Sequence, residues 1–400
     1  MAQSRSPLLP IFLTVFVDVL GLTLVLPLLP FYAEHFGASP LVVGTLTASY
    51  AACQLFSGPV LGRISDRLGR KPTLLASQIG TFAGFLVLGS AHSLWMLFLG
   101  RIIDGLTAGN LTIAQAYITD VTKPEERTRA FGFIGISFGM GFLLGPAISG
   151  FLAHRFGYSA PAFGAAGLSA LSILVTATML RPPPAHDAGA VPAAPGPSPA
   201  PPPAGMRTLD LGRYLRRPVV RHRLLTFFAY TLGFSTMIGG LALFLERRFS
   251  LDVEHVGYVF ALSGLVGALI QGGLIGRLVK RLGEDRLAQL GFLTLIVGNG
   301  LMGLVPTLPL LLGLVVIGAF GTSVTRPCLT TLITKSVDRD EQGGALGTSQ
   351  SFASIAQIIG PIIAGWLIER RMLTTYGLAA AFFSVVGIGL SLRKLPVDAG

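Results

Sequence analysis

Twelve long apolar stretches, each near the length that crosses a bilayer, constrain the fold of this chain more than any other feature. A hydrocarbon core about 30 Å thick needs about 20 apolar residues per helix. Helices of a soluble domain would place polar residues every three or four positions, and these stretches do not. The predicted spans are residues 8–32, 41–61, 72–91, 94–117, 130–151, 159–180, 224–245, 256–275, 287–305, 308–333, 345–368 and 374–392. The sequence therefore predicts an all-α membrane protein of about twelve transmembrane helices.

Composition supports the same class. Of the 400 residues, 51% are hydrophobic and 12% are charged, and the charged share is about half the roughly 25% of an average soluble domain. The net charge of +11 comes from basic residues in short gaps between apolar stretches, which is not the basic patch of a nucleic-acid-binding protein. Cys53 and Cys328 lie in separate apolar stretches and indicate neither a disulfide framework nor a metal site. No nucleic-acid partner is predicted.

The distribution of Lys and Arg predicts the orientation in the membrane. The apolar run that follows Arg5 is too long for a signal peptide and no small-residue cleavage site ends it, so it is predicted to be the first span. With the N-terminus in the cytoplasm, 23 of the 30 Lys and Arg residues fall in inner segments and 5 in outer loops. The positive-inside rule then places both termini in the cytoplasm. We expect a multi-pass protein of the cell membrane, plasma or inner, and a monomer.

A Pro/Ala-rich segment divides the chain into two parts. Residues 181–206 contain almost no large apolar side chain and cannot bury enough surface to fold. The predicted units are a six-helix bundle over 1–181, a cytoplasmic linker over 182–220 and a second six-helix bundle over 221–400. Residues 207–217 mix Leu and Tyr with Arg, and they form either a short helix on the lipid surface or a solvated connector.

The two predicted bundles share features at a nearly constant offset. The recurring features are Gly145-Pro146 with Gly360-Pro361, Gly150 with Gly365, Ile118-Thr119 with Ile333-Thr334, all 215 positions apart, and GRISDRLG from Gly62 with GRLVKRLG from Gly276, 214 positions apart. Two matching bundles have a natural cavity at their interface near the bilayer midplane, which is where transporters bind substrate.

The loop between the second and third spans, GRISDRLGRK from Gly62 to Lys71, fits the signature G-x-x-x-D-R-x-G-R-[KR]. Through this loop and the motifs below, the chain resembles the major facilitator superfamily over nearly its whole length outside the linker. Within that superfamily it resembles the drug:proton antiporters that include the tetracycline exporters. The resemblance implies a conformational latch formed by Gly62, Asp66, Arg67, Gly69, Arg70 and Asp120. The alternative is that the cations of this loop only set topology.

Two further features bear on the latch and on the direction of transport. The second-half loop has Lys280 at the position of Asp66, so no latch is predicted there. In the fifth span, the segment GFLLGPAISG resembles the antiporter signature G-x-x-x-G-P-x-x-G-G through Gly141, Gly145, Pro146 and Gly150. Small residues allow close helix packing and proline allows a bend. The pattern favours export, and the alternative is glycine-rich packing without a functional meaning.

Ionisable residues inside predicted spans are candidates for proton coupling, because each costs at least about 2.5 kcal/mol at the bilayer centre. Asp18 lies in a first helix similar to that of the tetracycline exporters, and a buried carboxyl can bind and release a proton. Arg101 matches the fourth-helix signature R-x-x-x-G, which implies a fixed cation near the first-helix acid. Asp104 follows it by three residues and shares its helix face, so it takes part in coupling or forms a structural ion pair. We expect these groups to lie away from water at the interface of the two bundles.

Other polar residues at membrane depth are possible parts of a substrate cavity. Arg326 in the tenth span either lines the cavity or satisfies backbone carbonyls at a helix break. Gln271 in the eighth span and Gln78 in the third are cavity candidates or interhelical contacts. The acid that tetracycline exporters carry in the third helix falls at about Gly84, and the ninth span has no acid. This departure argues against transport of a tetracycline–metal complex.

The predicted function is proton-coupled antiport that exports small lipophilic or cationic compounds by alternating access. The alternatives are a proton-coupled symporter for a small metabolite and a non-transporting membrane receptor. The sequence contains no Walker phosphate loop, no paired Cys/His metal spacing and no nucleophile elbow. We therefore predict neither an enzyme nor a cofactor, and coupling to an ion gradient.

Overall fold

The computed structural model describes residues 8–122, 127–180, 211–338 and 341–393, and these ranges are helical and contain no strand. The predicted linker lies outside the described residues over 181–210. The helices are α1 (Leu8–Val25), α2 (Leu28–His35), α3 (Pro40–Leu68), α4 (Arg70–Gly89), α5 (Leu94–Leu106), α6 (Asn110–Val121), α7 (Arg127–Phe156), α8 (Ser159–Met179), α9 (Leu211–Arg216), α10 (Pro218–Phe249), α11 (Val253–Leu269), α12 (Ile275–Met302), α13 (Leu308–Lys335), α14 (Gln342–Glu369) and α15 (Leu373–Leu392), with a π-helical turn at Ile270–Leu274.

Two predicted spans each consist of two helices. The first span breaks at Pro27, with a bend of 42° between its halves, because proline has no N–H to continue the helix. The fourth span breaks between α5 and α6. There Ser77 of α4 donates to the carbonyl of Thr107 and accepts from the N–H of Gly109. These bonds satisfy backbone groups that lipid cannot.

The number of membrane crossings agrees with the prediction. The described residues contain nine segments long and apolar enough to cross a bilayer, or ten with the bent first pair. One of them, Val253–Met302, has 50 residues, and a straight helix of that length would extend about 75 Å. It turns at Gly283, where φ is 74°, so it crosses twice. With α5 and α6 as one further span, the prediction of about twelve helices is confirmed.

Helix packing groups the spans into a first bundle, α1–α8, and a second bundle, α10–α15. In the first bundle α1 packs on α7 and α8, and α4 packs on α5 and α8; in the second, α10 packs on α14 and α15, and α12 packs on α13 and α15. The bundles meet along two seams, α7 with α11 and α3 with α14. The boundaries at 181 and 221 stay predictions, because residues 181–210 are not described.

Each seam depends on a glycine that faces a proline carbonyl. A methyl group at Gly257 of α11 would overlap the carbonyl oxygen of Pro146 in α7. A methyl group at Gly44 of α3 would overlap the carbonyl oxygen of Pro361 in α14. Pro146 and Pro361 are the repeat-related prolines of the sequence, so the two seams are built in the same way. Such contacts allow helices in lipid to approach closely.

Gly257→Ala is expected to lower stability by about 1–3 kcal/mol, because the added methyl group forces the α7–α11 seam apart. The measurement is thermal unfolding of the purified protein in detergent. Gly389→Ala is the matched control, since Gly389 has no heavy atom within 4 Å of its substituent position. Equal melting temperatures for Gly257→Ala and the control would contradict the close contact.

At one end the seams are closed by polar contacts between the bundles. Glu369 Oε2 at the end of α14 accepts hydrogen bonds from Ser39 Oγ at 2.9 Å and from the N–H of Leu41 at 3.0 Å. Arg247 Nη2 of α10 lies 2.6 Å from Glu34 Oε1 of α2. The orientation prediction places this end outside the membrane, and it is called the outer end below.

The α7–α11 seam widens toward the other, inner end. A methyl group at Gly150, near the outer end of α7, would lie 2.9 Å from Glu254 Cα. One at Gly139 would lie 3.9 Å from Ala268, and one at Gly135 would have no described atom within 4 Å. The α7–α11 seam is therefore tight at the outer end and wider at the inner end.

The short helix α9 precedes the second bundle and contacts it. Tyr214 is buried in that bundle and donates to the carbonyl of Glu341. Arg213 Nη2 lies 2.6 Å from Glu341 Oε1, and Arg217 pairs with the same carboxylate. The hydrogen bond and the charge of Glu341 raise the pKa of Arg217 above its ordinary value. Residues 211–217 thus contact the second bundle. Neither alternative predicted from the sequence, a helix on the lipid surface or a solvated connector, included this contact.

Candidate functional site

The Arg101–Asp104 pair lies in the interior of the first bundle. Arg101 Nη1 is 3.0 Å from Asp104 Oδ2, and each residue is only 4% exposed. The guanidinium carbon of Arg101 lies 4.2 Å from the centre of the Tyr50 ring, an arrangement that attracts a cation to the ring face. The three-residue spacing on α5 places both charges on one helix face, so each compensates the burial of the other.

Asp18 lies on α1 and its carboxyl is near the side chains of Ser172, Asn110 and Gln78, which belong to α8, α6 and α4. Gln78 Nε2 donates to Ser172 Oγ at 2.7 Å. Three oxygen atoms of this group are buried and have no hydrogen-bond partner among the described residues: Asp18 Oδ1, Gln78 Oε1 and Asn110 Oδ1. We call these the acceptor group. A buried acceptor without a donor costs free energy, so this group would be stabilised by an added proton.

The neighbours of Asp18 named above belong to α4, α6 and α8, all in the first bundle. Helix α7 packs on both α1 and α11, so it connects the helix of Asp18 to the second bundle. Asp18 is only partly buried, and its place at the interface between the bundles stays a prediction.

The glycine motif of α7 joins α1 to that seam. Methyl groups at Gly141 and Gly145 would contact Val19 and Thr23 of α1, whereas Gly150 faces α11. Thr23 Oγ1 also donates to the carbonyl of Gly141 at 2.9 Å. Helix α1 thus packs closely on the helix that contacts the second bundle, and a hydrogen bond joins the two.

Gly84, the position at which the resemblance to the tetracycline exporters implies an acid, packs against Asp104. A methyl group at Gly84 would lie 2.9 Å from Asp104 Cβ and 3.0 Å from the carbonyl oxygen of Gly100. The absence of a side chain on α4 thus provides the space for an acid on α5. The sequence indicates the missing acid at Gly84, but it does not indicate that Asp104 fills the same space.

The residues assigned to the latch lie at the inner end of the first bundle, and three of them form what we call the inner-loop network. Arg70 Nη1 is 2.5 Å from Asp66 Oδ1, and Arg70 Nε is 2.7 Å from Asp120 Oδ2. Arg70 also donates to Ser65 Oγ at 2.8 Å, a contact that the motif does not reveal. Gly69 has φ 97°, a conformation that glycine adopts without strain.

Two residues of the predicted latch lie outside this network. Arg67 is exposed and has no ion pair among the described residues. Gly62 packs near the Thr112 methyl group, which is 3.7 Å from its substituent position. Gly62 thus contributes close packing between α3 and α6.

The second bundle has an ion pair at the equivalent place, with the charges exchanged. Lys335 Nζ lies 2.5 Å from Glu284 Oε1, and Glu284 and Lys335 stand 214 and 215 positions after Arg70 and Asp120. Glu284 also follows Gly283, whose φ of 74° matches that of Gly69. Lys280 at the position of Asp66 does not indicate this pair, because the two charges are exchanged between the bundles.

Glu284→Lys is expected to destabilise the inner end of the second bundle slightly, because it places two cations together. The exchanged double variant Glu284→Lys/Lys335→Glu is expected to recover the loss, since it restores opposite charges. The measurement is the melting temperature in detergent at low and high salt. Because Lys335 is 60% exposed, salt should reduce the difference. No recovery in the double variant would contradict the pairing.

The two cavity candidates of the second bundle are both exposed. Arg326 on α13 lies near Tyr230 of α10. An exposed arginine at membrane depth requires contact with water rather than lipid. Gln271 is exposed in the π-helical turn Ile270–Leu274, and such turns often occur at functional sites. Neither residue contacts the Arg101–Asp104 pair.

The sequence of this chain is similar to a family profile and to individual known proteins. The sequence profile of the Major Facilitator Superfamily matches residues 11–297 and 224–399. The class C tetracycline resistance protein of Escherichia coli is 30% identical over 398 residues, covering 98% of this chain and 96% of that protein. Multidrug resistance protein 2 of Bacillus subtilis is 26% identical over 392 residues, covering 94% and 92%.

A solved structure has the same fold. A bacterial homolog of the human lysosomal transporter Spinster, in an inward-facing and unoccupied conformation, superposes with a TM-score of 0.80. The match covers 98% of this chain and 97% of the other, at 17% sequence identity.

Proposed function

Because the chain belongs to the Major Facilitator Superfamily, whose members carry small molecules across membranes, we propose that it is a proton-coupled antiporter. In this proposal it exports small lipophilic or cationic compounds by alternating access, with its halves rocking about the two seams. It lies in the cell membrane, plasma or inner, with both termini in the cytoplasm, and works as a monomer.

The acceptor group around Asp18 carries the proposal. Asp18 Oδ1, Gln78 Oε1 and Asn110 Oδ1 are buried and receive no hydrogen bond from the part of the chain that the structure describes. Protonation of the Asp18 carboxyl adds one O–H donor, which one of the neighbouring amide oxygens can accept. Deprotonation leaves a carboxylate that a cationic substrate or water can neutralise or solvate. The acceptor group can therefore bind a proton or a cation, but not both at once.

The Arg101–Asp104 pair acts as a fixed charge beside this exchange. Asp104 interacts electrostatically with Asp18, and Arg101 holds Asp104 in place through the 3.0 Å contact. The charge of Asp104, held in place by Arg101, therefore acts on the carboxyl that exchanges the proton. Movement of α1 on protonation reaches the α7–α11 seam through the contacts of Thr23 with α7, and this contact couples the proton to the rocking motion.

The inner-loop network of Asp66, Arg70 and Asp120 supports one conformation of the cycle. It ties the ends of α3, α4 and α6 together. We propose that it acts as the latch. Gly69 provides the turn, and Arg67 contributes to the orientation of the chain in the membrane. Charge-assisted bonds of this kind near a membrane surface hold helix ends in register.

Two observations support export of drug-like compounds. The α7 glycine motif is at the seam, and the relatives named above are resistance proteins. Arg326 and Gln271 are proposed to line the second-bundle side of the cavity. Gly84 in place of an acid argues for compounds other than tetracycline–metal complexes. A proton-coupled symporter for a small metabolite is the second candidate, favoured by the exposed Arg326, and a non-transporting receptor is the third.

The test is transport in membrane vesicles with an imposed pH gradient. Accumulation of ethidium and other lipophilic cations is expected to depend on the gradient and to stop when an uncoupler is added. A panel of hydrophilic solutes serves as the control for symport. Gradient-driven movement of the hydrophilic solutes alone would contradict antiport and support symport. If no compound moves, the non-transporting receptor is the remaining candidate.

A further inference from the structure

A histidine and two carboxylates converge at the outer end of the α7–α11 seam. His154 Nδ1, on α7, lies 3.7 Å from Asp252 Oδ2 and 3.5 Å from Glu254 Oε2, both at the start of α11. The three ligand atoms lie within 4.8 Å of one another. We call these residues the outer-end cluster. They come from different bundles, so the cluster exists only where the outer end is closed.

The distances suit a shared metal ion better than direct hydrogen bonds. An N–H···O hydrogen bond spans about 2.7–3.2 Å, which is shorter than either contact of His154. Two ligands each about 2.0–2.1 Å from a tetrahedral zinc ion stand about 3.3–3.4 Å apart. The 3.5 and 3.7 Å separations need only small side-chain shifts to reach that value. Imidazole nitrogen and carboxylate oxygen are both ligand types that zinc binds.

Hydrogen bonds hold the second oxygen of each carboxylate and leave the first one facing His154. The N–H of His255 donates to Asp252 Oδ1 at 2.9 Å, and the hydroxyl of Tyr258 donates to Glu254 Oε1 at 2.6 Å. Such outer contacts orient metal ligands and sustain affinity. Asp252 Oδ2 and Glu254 Oε2 are therefore held in the positions from which they can bind an ion with His154.

The site is accessible from the outer solution. The side chains of His154 and Asp252 are 53% and 46% exposed. A cavity of about 450 Å³ lies beside them, lined by both residues and by Glu246 and Tyr158. It offers an entry path and room for a water molecule as the fourth ligand, which a three-residue zinc site requires.

We propose that His154, Asp252 and Glu254 bind a divalent transition-metal ion, with zinc as the best fit, and that the ion holds the outer end closed. Because its ligands come from both bundles, the ion binds the outer-closed state and not the outer-open one. Zinc at 100 times its dissociation constant multiplies the ratio of the two states by about a hundred. Zinc in the outer solution therefore inhibits transport; this second part rests on the proposed function, whereas zinc binding does not.

Zinc binding is tested by calorimetric titration of the full chain, purified in detergent. The wild-type protein is expected to bind one zinc ion, and Mg²⁺, which prefers all-oxygen sites, is expected not to compete. His154→Ala should abolish binding, and Tyr258→Phe should weaken it by roughly ten- to a hundredfold. His92→Ala is the matched control, because His92 is an outer-side histidine in the turn between α4 and α5 and should leave binding unchanged.

Melting temperatures without zinc establish that each variant is folded. Undiminished binding by His154→Ala, or no binding by the wild type, would overturn the site. The conformational part is tested in vesicles with zinc on the outer face of the protein. Transport by wild type and His92→Ala should fall, while transport by His154→Ala should not. Zinc that binds at His154 but leaves transport unaffected would overturn the closing action alone, and absence of any transport would count against the proposed function instead.

Discussion

Asp18→Asn is expected to abolish uphill, proton-driven transport while the protein stays folded. Asparagine has the shape of aspartate but cannot ionise, so the variant cannot exchange a proton. Its amide N–H₂ supplies a donor to the acceptor group, in which Gln78 Oε1 and Asn110 Oδ1 have none within the described ranges. The variant should therefore resemble the protonated state and be at least as stable as the wild type. The measurement is accumulation of a lipophilic cation in vesicles under a pH gradient, together with the melting temperature.

Counterflow, the exchange of labelled for unlabelled compound without a gradient, is the internal control for Asp18→Asn. Exchange needs the rocking motion but no net proton transfer, so any residual exchange together with lost uphill transport assigns the defect to coupling. Asp338→Asn is the matched control variant, since Asp338 is an exposed acid outside the spans and its loss should have no effect. Full uphill transport by Asp18→Asn would remove Asp18 from the coupling mechanism.

Arg101→Leu is expected to destabilise the protein by about 3–5 kcal/mol, because it leaves the Asp104 carboxylate buried without its partner. Asp104 is only 4% exposed, so water cannot replace the guanidinium. The double variant Arg101→Leu/Asp104→Leu should recover most of that loss, because an apolar pair of similar size is often as stable as a buried ion pair. Transport should be lost in both. The measurement is thermal unfolding in detergent, alongside the vesicle assay.

The double variant separates charge from packing at this site. Arg101 also contacts the Tyr50 ring at 4.2 Å, and its side chain fills space between α3 and α5. A double variant as unstable as Arg101→Leu would show that the stabilisation comes from packing. Arg101→Lys keeps the charge but loses the planar guanidinium, so an intermediate stability is expected for it.

Apolar length and charge distribution predict the fold of this protein well, since lipid allows few spanning structures other than helices. The twelve spans and the repeat of the α7 and α14 motifs are found in the structure. The breaks at Pro27 and at 107–109 could not be located from hydropathy. Hydropathy reports the depth of a segment in the membrane and not its backbone hydrogen bonds, which here involve Ser77 of a different helix.

The candidate site is harder to predict, because side-chain direction depends on which helices pack together. The sequence indicates Asp18, Arg101 and Asp104 as ionisable groups at membrane depth, but it does not indicate the neighbours of Asp18. The structure places Asp18 beside Gln78, Asn110 and Ser172. Gly84 packs against Asp104 on a different helix, and Glu284 pairs with Lys335 on a different helix. The sequence alone does not show which helices pack together, so it does not indicate either contact.

The outer-end cluster shows the same limit for metal sites. His154 lies 98 positions before Asp252, so the cluster has no short ligand spacing of the kind that identifies zinc sites in a sequence. Only the packing of α7 against α11 brings the ligands together. The expectation of no metal site rests on sequence spacing, which detects ligands that are near one another along the chain.

The most direct test of the central claim measures protons released when substrate binds to the purified protein. In lightly buffered detergent solution, near the pH at which a buried carboxyl is partly protonated, the best-transported lipophilic cation is added to wild type and to Asp18→Asn. Competition between a proton and a cation at the acceptor group predicts acidification with the wild type and none with Asp18→Asn, although both bind the compound. Equal proton release by the two proteins, or binding by the wild type without release, would contradict the exchange at Asp18.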